Sequence, residues 1–198
     1  SLRRVMAYYY ATISHMDHHI GRILEAAKAK GPTVIIFTSD HGDLMGYHHL
    51  ILKAGLPYDP LVRIPLMVAG LEGVEAGSRC GALTQNMDLT HTILEMGGAR
   101  VPRAMQGRSM MPLLRGEREE LREAVFAEIG PMRMARTRQG KLVVGPGADM
   151  PILFDLERDP LEMVNAIDDP AAAGLKADLV ARMLGWLQES ARPAPHAE

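Results

Sequence analysis

The residues able to do chemistry concentrate between Thr33 and Lys53, in TVIIFTSDHGDLMGYHHLILK, where the apolar run Val34 to Phe37 gives way to Asp40, His41, Gly42 and Asp43 and then to His48, His49 and Lys53. A carboxylate and an imidazole side by side can reach one divalent cation if the chain turns there, and Gly42 permits the turn. Two adjacent donors make half a site. Further ligands must come from other loops, and Asp43, His48 and His49 are the nearest in sequence. Lys53 is a compact positive charge that suits a tetrahedral anion such as sulfate or phosphate beside a metal. A plainer account also fits, with Asp40 making turn hydrogen bonds, the histidines packed in the core and Lys53 solvated. The short pattern alone does not choose between them.

Such a loop needs a strand to deliver it. Val34, Ile35, Ile36 and Phe37 are consecutive, apolar and mostly β-branched, which is how a strand buried on both faces of a parallel sheet reads. Ligands in open α/β sheets bind beyond the carboxyl ends of such strands. Upstream, Ile13, Met16, Ile20, Ile23, Leu24 and Ala27 recur at spacings of three and four, predicting a helix from about Arg3 to Lys30 that Gly31 and Pro32 end. Tyr8, Tyr9 and Tyr10 read as packing residues. Asp17, His18 and His19 are adjacent on that helix and point in different directions. Ile64 to Gly70 suits a second buried strand with Pro65 at its start, and Asn86 or Asp88 caps a helix that closes at Gly97 and Gly98. Gln106 to Gly116 is a loop with at most one helical turn. Beyond it, Ala124–Ile129, Met132–Thr137, Lys141–Val144 and Ile152–Leu156 predict an antiparallel meander. Ala172 to Gln188 returns to helical spacing through Leu175, Leu179, Met183, Leu184 and Leu187, and the tail from Arg192 is expected to fray.

The 198 residues are 47% hydrophobic, enough for a core, and the net charge of -2 gives no reason to bind nucleic acid or an anionic membrane. No apolar run reaches a membrane-spanning length. The single cysteine, Cys80, excludes an internal disulfide and a thiolate zinc cluster. A soluble chain is expected, with the cytoplasm slightly favoured and no targeting segment to fix it.

Six stretches together resemble the sulfatase branch of the alkaline-phosphatase-like superfamily, the group of arylsulfatases and phosphonate monoester hydrolases. They are YYATISHMDHHIGRIL, VIIFTSDHGDLMGYHHLILK, YDPLVRIPLMVAG, QNMDLTHTILEMGG, GRSMMPLL and FDLERDPLEMVNAIDDP, in the family's order. The resemblance implies that Asp40 and His41 are metal ligands. It implies that Lys53 contacts the sulfuryl or phosphoryl oxygens and that His48 faces the substrate or leaving group. Asp43 and His49 match no catalytic position. Many members carry Asp-Asn with calcium where this chain has Asp40-His41, and His91 stands where a proline is usual. One divalent cation is implied, Ca²⁺, Mn²⁺, Mg²⁺ or Zn²⁺, and imidazole favours Mn²⁺ or Zn²⁺ over a hard cation.

The family nucleophile, a cysteine converted to formylglycine or a serine within Cys/Ser-x-Pro-x-Arg, is absent, as are two further metal-binding aspartates. Cys80 is followed by Gly-Ala-Leu-Thr and does not fit that motif. The resemblance therefore covers the C-terminal portion of such an enzyme. The expected fold is α/β: residues 1–116 form part of an alkaline-phosphatase-like core, a parallel or mixed sheet with flanking helices that carries the metal and anion loop. Residues 117–198 form a small antiparallel subdomain with a terminal helix. The expected substrate is a small-molecule sulfate or phosphonate ester, and the missing N-terminal part of the same enzyme is a partner. The chain alone is expected to be inactive and, with an apolar strand edge exposed, to form a homo-oligomer or swapped assembly. Two other functions fit: a non-catalytic binding or assembly module with a vestigial site, and a phosphomutase or phosphodiesterase of the same superfamily.

Overall fold

The structure is a computed structural model that describes residues 1–53, 55–146 and 151–191. The chain forms two compact units, Ser1–Ala54 with Pro60–Ala76, and Gly55–Asp59 with Gly77–Glu198. Residues 77–116 thus pack with the meander, so the compositional shift at Gly116 is not where the packing divides. The tail from Arg192 lies outside the described residues.

In the first unit, helix α1 runs from Leu2 to Lys28, and Gly31 follows it at φ 114, a backbone state a side chain would strain. Met6, Tyr9, Ile20, Leu24 and Ala27 are half-buried along one stripe, as the 3.6-residue period requires. Other apolar residues of the helix stay exposed, Ile23 at 66% among them, and no α1 residue is fully buried. Strand β1, Ile35–Thr38, pairs with β2, Leu66–Ala69, from Ile35 opposite Ala69 to Thr38 opposite Leu66. That pairing is antiparallel, whereas the apolar run predicts a parallel partner. Burial differs as well: Ile35, Ile36 and Phe37 are half-buried, because this sheet has two strands among the described residues and each has one neighbour. A short helix, α2, spans Asp59–Val62.

In the second unit, α3 runs from Asn86 to Met96 with Gln85 as its cap. Asp88 is not the cap. It sits in the first turn and accepts from the Gln85 amide at 2.7 Å. The turn α4, Met111–Leu114, follows. Strands β3 (Val125–Ile129), β4 (Met132–Arg136), β5 (Gly140–Val144) and β6 (Ile152–Asp155) form the predicted meander in the order β3-β4-β5-β6. Helix α5, Ala173–Ser190, packs across it. Ala135, Leu142, Leu153, Ile167, Ala172, Leu179 and Met183 form the core, each large side chain contributing on the order of 1.5–3 kcal/mol by burial. Trp186 extends that core by stacking on Phe126 with ring centroids 5.0 Å apart. Leu184 and Leu187, predicted to be inward, are 55% and 37% exposed, since they fall on the flank of α5 away from the sheet. Leu175 lies so close to Gly140 that any side chain there would strike it. No helix of the described residues is long and apolar enough to cross a membrane.

Two charge clusters fasten this unit. Asp88 is fully buried and receives both terminal nitrogens of Arg122, one at 2.7 Å, together with the Arg108 amide at 2.8 Å. Lys141, also fully buried, is ion-paired to Glu162 and to Asp59 and donates to the Pro57 carbonyl at 2.9 Å. Arg136 grips Asp59 at 2.9 and 2.8 Å, and Glu162 accepts from the Asp59 amide at 2.7 Å. Burial pushes the Asp59 carboxyl upward, but Arg136 and Lys141 outweigh it and hold it below its ordinary range.

Two measurements follow, both read from the single tryptophan, Trp186. Lys141→Met leaves the Glu162 carboxylate buried without its cation, so urea unfolding should show a loss of about 3–5 kcal/mol. Because the folded-state pKa of Asp59 is depressed, its contribution is present above the unfolded value near ~3.9 and is lost as pH falls through the folded one. The stability of this unit should therefore decline below about pH 4, and Asp59→Asn should be weaker at neutral pH with a flatter acid limb.

Candidate active site

The polar stretch begins where β1 ends. The Ser39 hydroxyl donates to the His41 carbonyl at 2.8 Å and to Asp40 Oδ1 at 3.3 Å, and the His41 amide donates to the same carboxylate oxygen at 2.9 Å. That amide first, with the Ser39 hydroxyl, holds the Asp40 carboxyl below its ordinary range. The anionic side chain is 85% exposed. Both sequence readings of Asp40 are therefore compatible: one oxygen serves the turn, while Oδ2 lies 3.6 Å from His41 Nε2.

Gly42 is required by space. Its amide donates to the Leu61 carbonyl at 2.8 Å, and a Cβ there would sit 2.0 Å from the Pro60 carbonyl oxygen. This close approach fixes the ring of His41, whose Nδ1 lies 2.8 Å from the Gly42 carbonyl. A carbonyl only accepts, so Nδ1 carries the proton. Nε2 lies 2.9 Å from Lys53 Nζ. An ammonium only donates, so Nε2 offers its lone pair. Two independent partners thus set the neutral tautomer that a metal-binding imidazole needs, the backbone carbonyl orienting the ring from behind.

Lys53 is brought back to His41 by a closed loop. The Leu44 amide donates to the Leu52 carbonyl at 3.0 Å and the Gly46 amide to the Leu50 carbonyl at 2.7 Å, while Leu44 is buried beneath them. Closure strains the chain: Met45, His48, His49 and Leu52 all have positive φ, as does Gly46 at 102. Such residues cost on the order of 1 kcal/mol each or more and cluster at functional sites. His48 belongs to the turn Tyr47–His49, half-buried and edge-on to the Tyr47 ring at 4.5 Å. Asp43 accepts from the Tyr9 hydroxyl at 2.9 Å. Tyr9 is therefore a tie from α1 to the loop, where the sequence suggests packing alone. Burial first, then this bond to Asp43, raises its phenol above the ordinary range. A half-buried tyrosine between two exposed ones is visible in the helical period, but its partner 34 residues away is not.

Asp40, His41 and Lys53 are thus together. Among the described residues no three histidine, cysteine or acidic side chains converge as a metal cluster. The donors present still fit a divalent cation: an anionic carboxylate beside an imidazole lone pair, with an ammonium already drawn to that lone pair.

The chain is similar to known proteins over most of its length. Residues 46–189 match the family model of the C-terminal region of N-sulphoglucosamine sulphohydrolase. The chain is 32% identical to the multifunctional alkaline phosphatase superfamily protein PehA of Trinickia caryophylli, across 93% of the chain and 40% of that protein. It is 32% identical to the choline-sulfatase of Rhizobium meliloti, across 91% of the chain and 36% of that protein. The phosphonate monoester hydrolase of Agrobacterium radiobacter superposes with a TM-score of 0.79 at 28% identity, covering 92% of this chain and 41% of that one. The chain thus spans about two fifths of the length of these relatives, and the superposition places its fold among the alkaline-phosphatase-like enzymes.

Gly42→Ala should displace the loop, because the backbone at Pro60 cannot yield to a methyl group. The expected outcome is faster amide exchange across residues 40–53 and a stability loss of about 2 kcal/mol or more, with the amides of β5 unaffected.

Proposed function

We propose that this chain, which belongs to the sulfatase family through its N-sulphoglucosamine sulphohydrolase-type C-terminal region, carries one part of an active site that hydrolyses sulfate or phosphonate monoesters. The observation that supports this best is His41 Nε2, which lies 2.9 Å from Lys53 Nζ and 3.6 Å from Asp40 Oδ2. A carboxylate, an imidazole and an ammonium, three groups of different chemistry, thus share one point close to the end of β1.

Asp40 and His41 would hold a divalent cation, which when bound supplies charge stabilisation to the oxygens of a tetrahedral centre. Ca²⁺, Mg²⁺, Mn²⁺ and Zn²⁺ are the candidates, with the imidazole favouring the latter two. Lys53, whose ammonium lies against the His41 ring, would direct that positive charge to a sulfuryl or phosphoryl oxygen. His48 serves the leaving oxygen as a proton donor, a role an imidazole fills near neutral pH. The nucleophile, formylglycine or serine in relatives of this type, and the remaining metal donors belong to a part of the enzyme outside this sequence. The chain alone is then catalytically incomplete. Its first unit, with a two-stranded sheet and a half-covered helix, is the surface on which that part would sit.

In the intact enzyme, Asp40→Ala should lower bound metal measured by elemental analysis and reduce kcat by about 10²-fold or more. Unchanged metal content and rate would overturn the assignment. An upstream coding sequence without a Cys/Ser-x-Pro-x-Arg motif would favour instead a non-catalytic module with a vestigial site.

A further inference from the structure

Helix α1 carries three exposed histidines within five residues, His15, His18 and His19. In sequence the conspicuous group is Asp17, His18 and His19, whose side chains diverge. The structure pairs His19 with His15 instead. The two lie one turn apart on the same side of the helix, with ring centroids 4.6 Å apart and planes at 74°. His18 lies farther from His19, with ring centroids 5.3 Å apart. By the 3.6-residue period the half-buried stripe of Met6, Tyr9, Ile20, Leu24 and Ala27 runs along the other side of α1. The histidine pair therefore stays open to solvent even where that stripe is covered.

We propose that His15 and His19 form a surface chelate for a borderline divalent transition ion such as Zn²⁺ or Cu²⁺, with water completing its coordination. Two imidazoles at positions i and i+4 of one helix face are a recurring way to hold such an ion. Because α1 fixes both side chains on one rigid element, the second nitrogen binds at high effective concentration once the first has bound. The rings already touch, so bringing two ring nitrogens to a common ion takes side-chain rotation and no change of backbone.

Arg22 gives the proposal a sign that a generic surface histidine would lack. Its Nη1 lies 3.1 Å from His19 Nδ1. A guanidinium only donates, so Nδ1 accepts and the His19 proton sits on Nε2. A metal at Nδ1 must displace Arg22. A metal at Nε2 must send the proton to Nδ1, which also breaks the Arg22 contact. In both cases the imidazole remains neutral and the guanidinium is left close to a dication. Arg22 is thus a competitor of the metal, and removing it should tighten binding.

The test is a calorimetric titration of Zn²⁺ into the 198-residue chain carrying His41→Ala, which removes the imidazole beside Asp40. His15→Ala and His19→Ala should each weaken binding by about tenfold or more, the loss of a chelating arm. His18→Ala should leave it unchanged, and Arg22→Ala should tighten it by about fivefold, the effect in water of one unit charge displaced to roughly 8 Å from a dication. Retained affinity in His15→Ala, an equal loss in His18→Ala, or weaker binding in Arg22→Ala would each overturn the proposal. Alanine at these exposed positions favours the helix, and circular dichroism checks that it persists. Should the His41→Ala background not fold, paramagnetic broadening by Cu²⁺ in the unsubstituted chain decides the matter: the ring protons of His15 and His19 must broaden before those of His18.

Discussion

An ammonium group with no access to water must be given carboxylates, and Lys141 is such a group. Its position near the start of β5 commits three other segments to meet it. Glu162 arrives from the loop after β6, Pro57 and Asp59 from the entry into α2, whose first residue is Asp59, and Arg136 from β4 shares Asp59. Glu162 even accepts a left-handed backbone, φ 55, to reach this place. Burying two cations and two anions is unfavourable unless every partner is present. The arrangement is therefore all or none, and the meander cannot form without fixing residues 57–59 in the same step.

The Asp88 cluster follows the same rule on a smaller scale. One buried carboxylate satisfies the start of α3, the Arg108 amide and the Arg122 guanidinium. Thr92, one turn later, donates to the Asp88 carbonyl at 2.6 Å and accepts from the Met110 amide at 2.9 Å. These bonds draw α3 and α4 into the unit that holds the meander, which is why the compact division falls near residue 76 rather than at Gly116. Composition shifts at Gly116, but packing follows buried polar groups that cannot be left unsatisfied.

The strand-end loop obeys a different balance. Its backbone is closed by short hydrogen bonds and carries four non-glycine residues with positive φ between Met45 and Leu52. Nothing in the stability of a surface loop calls for such strain, whereas bringing Lys53 Nζ against His41 Nε2 does. Gly42, pressed on the Pro60 carbonyl, and Asp43, tied to Tyr9, hold the near end of the loop in place. The two acidic residues of the Asp40-His41-Gly42-Asp43 run thus differ: Asp40 is open to solvent, and Asp43 is bonded to Tyr9 of α1.

The sequence by itself determined the order and kind of the elements and which residue types are able to do chemistry. Periodicity located α1, α5 and the four strands of the meander, and the abrupt change at Ser39 marked where the polar loop begins, because these signals are local and each residue carries its own share. Only the tertiary structure decided partners. The antiparallel pairing of β1 with β2, the Gln85 cap, the burial of Lys141 and Asp88, the tautomer of His41 and the pairing of His15 with His19 all depend on a second group whose position the first does not encode. A buried lysine and a solvated one look alike in sequence. They differ only in whether the folded chain brings carboxylates from 21 and 82 residues away, here Glu162 and Asp59, to where water has been removed.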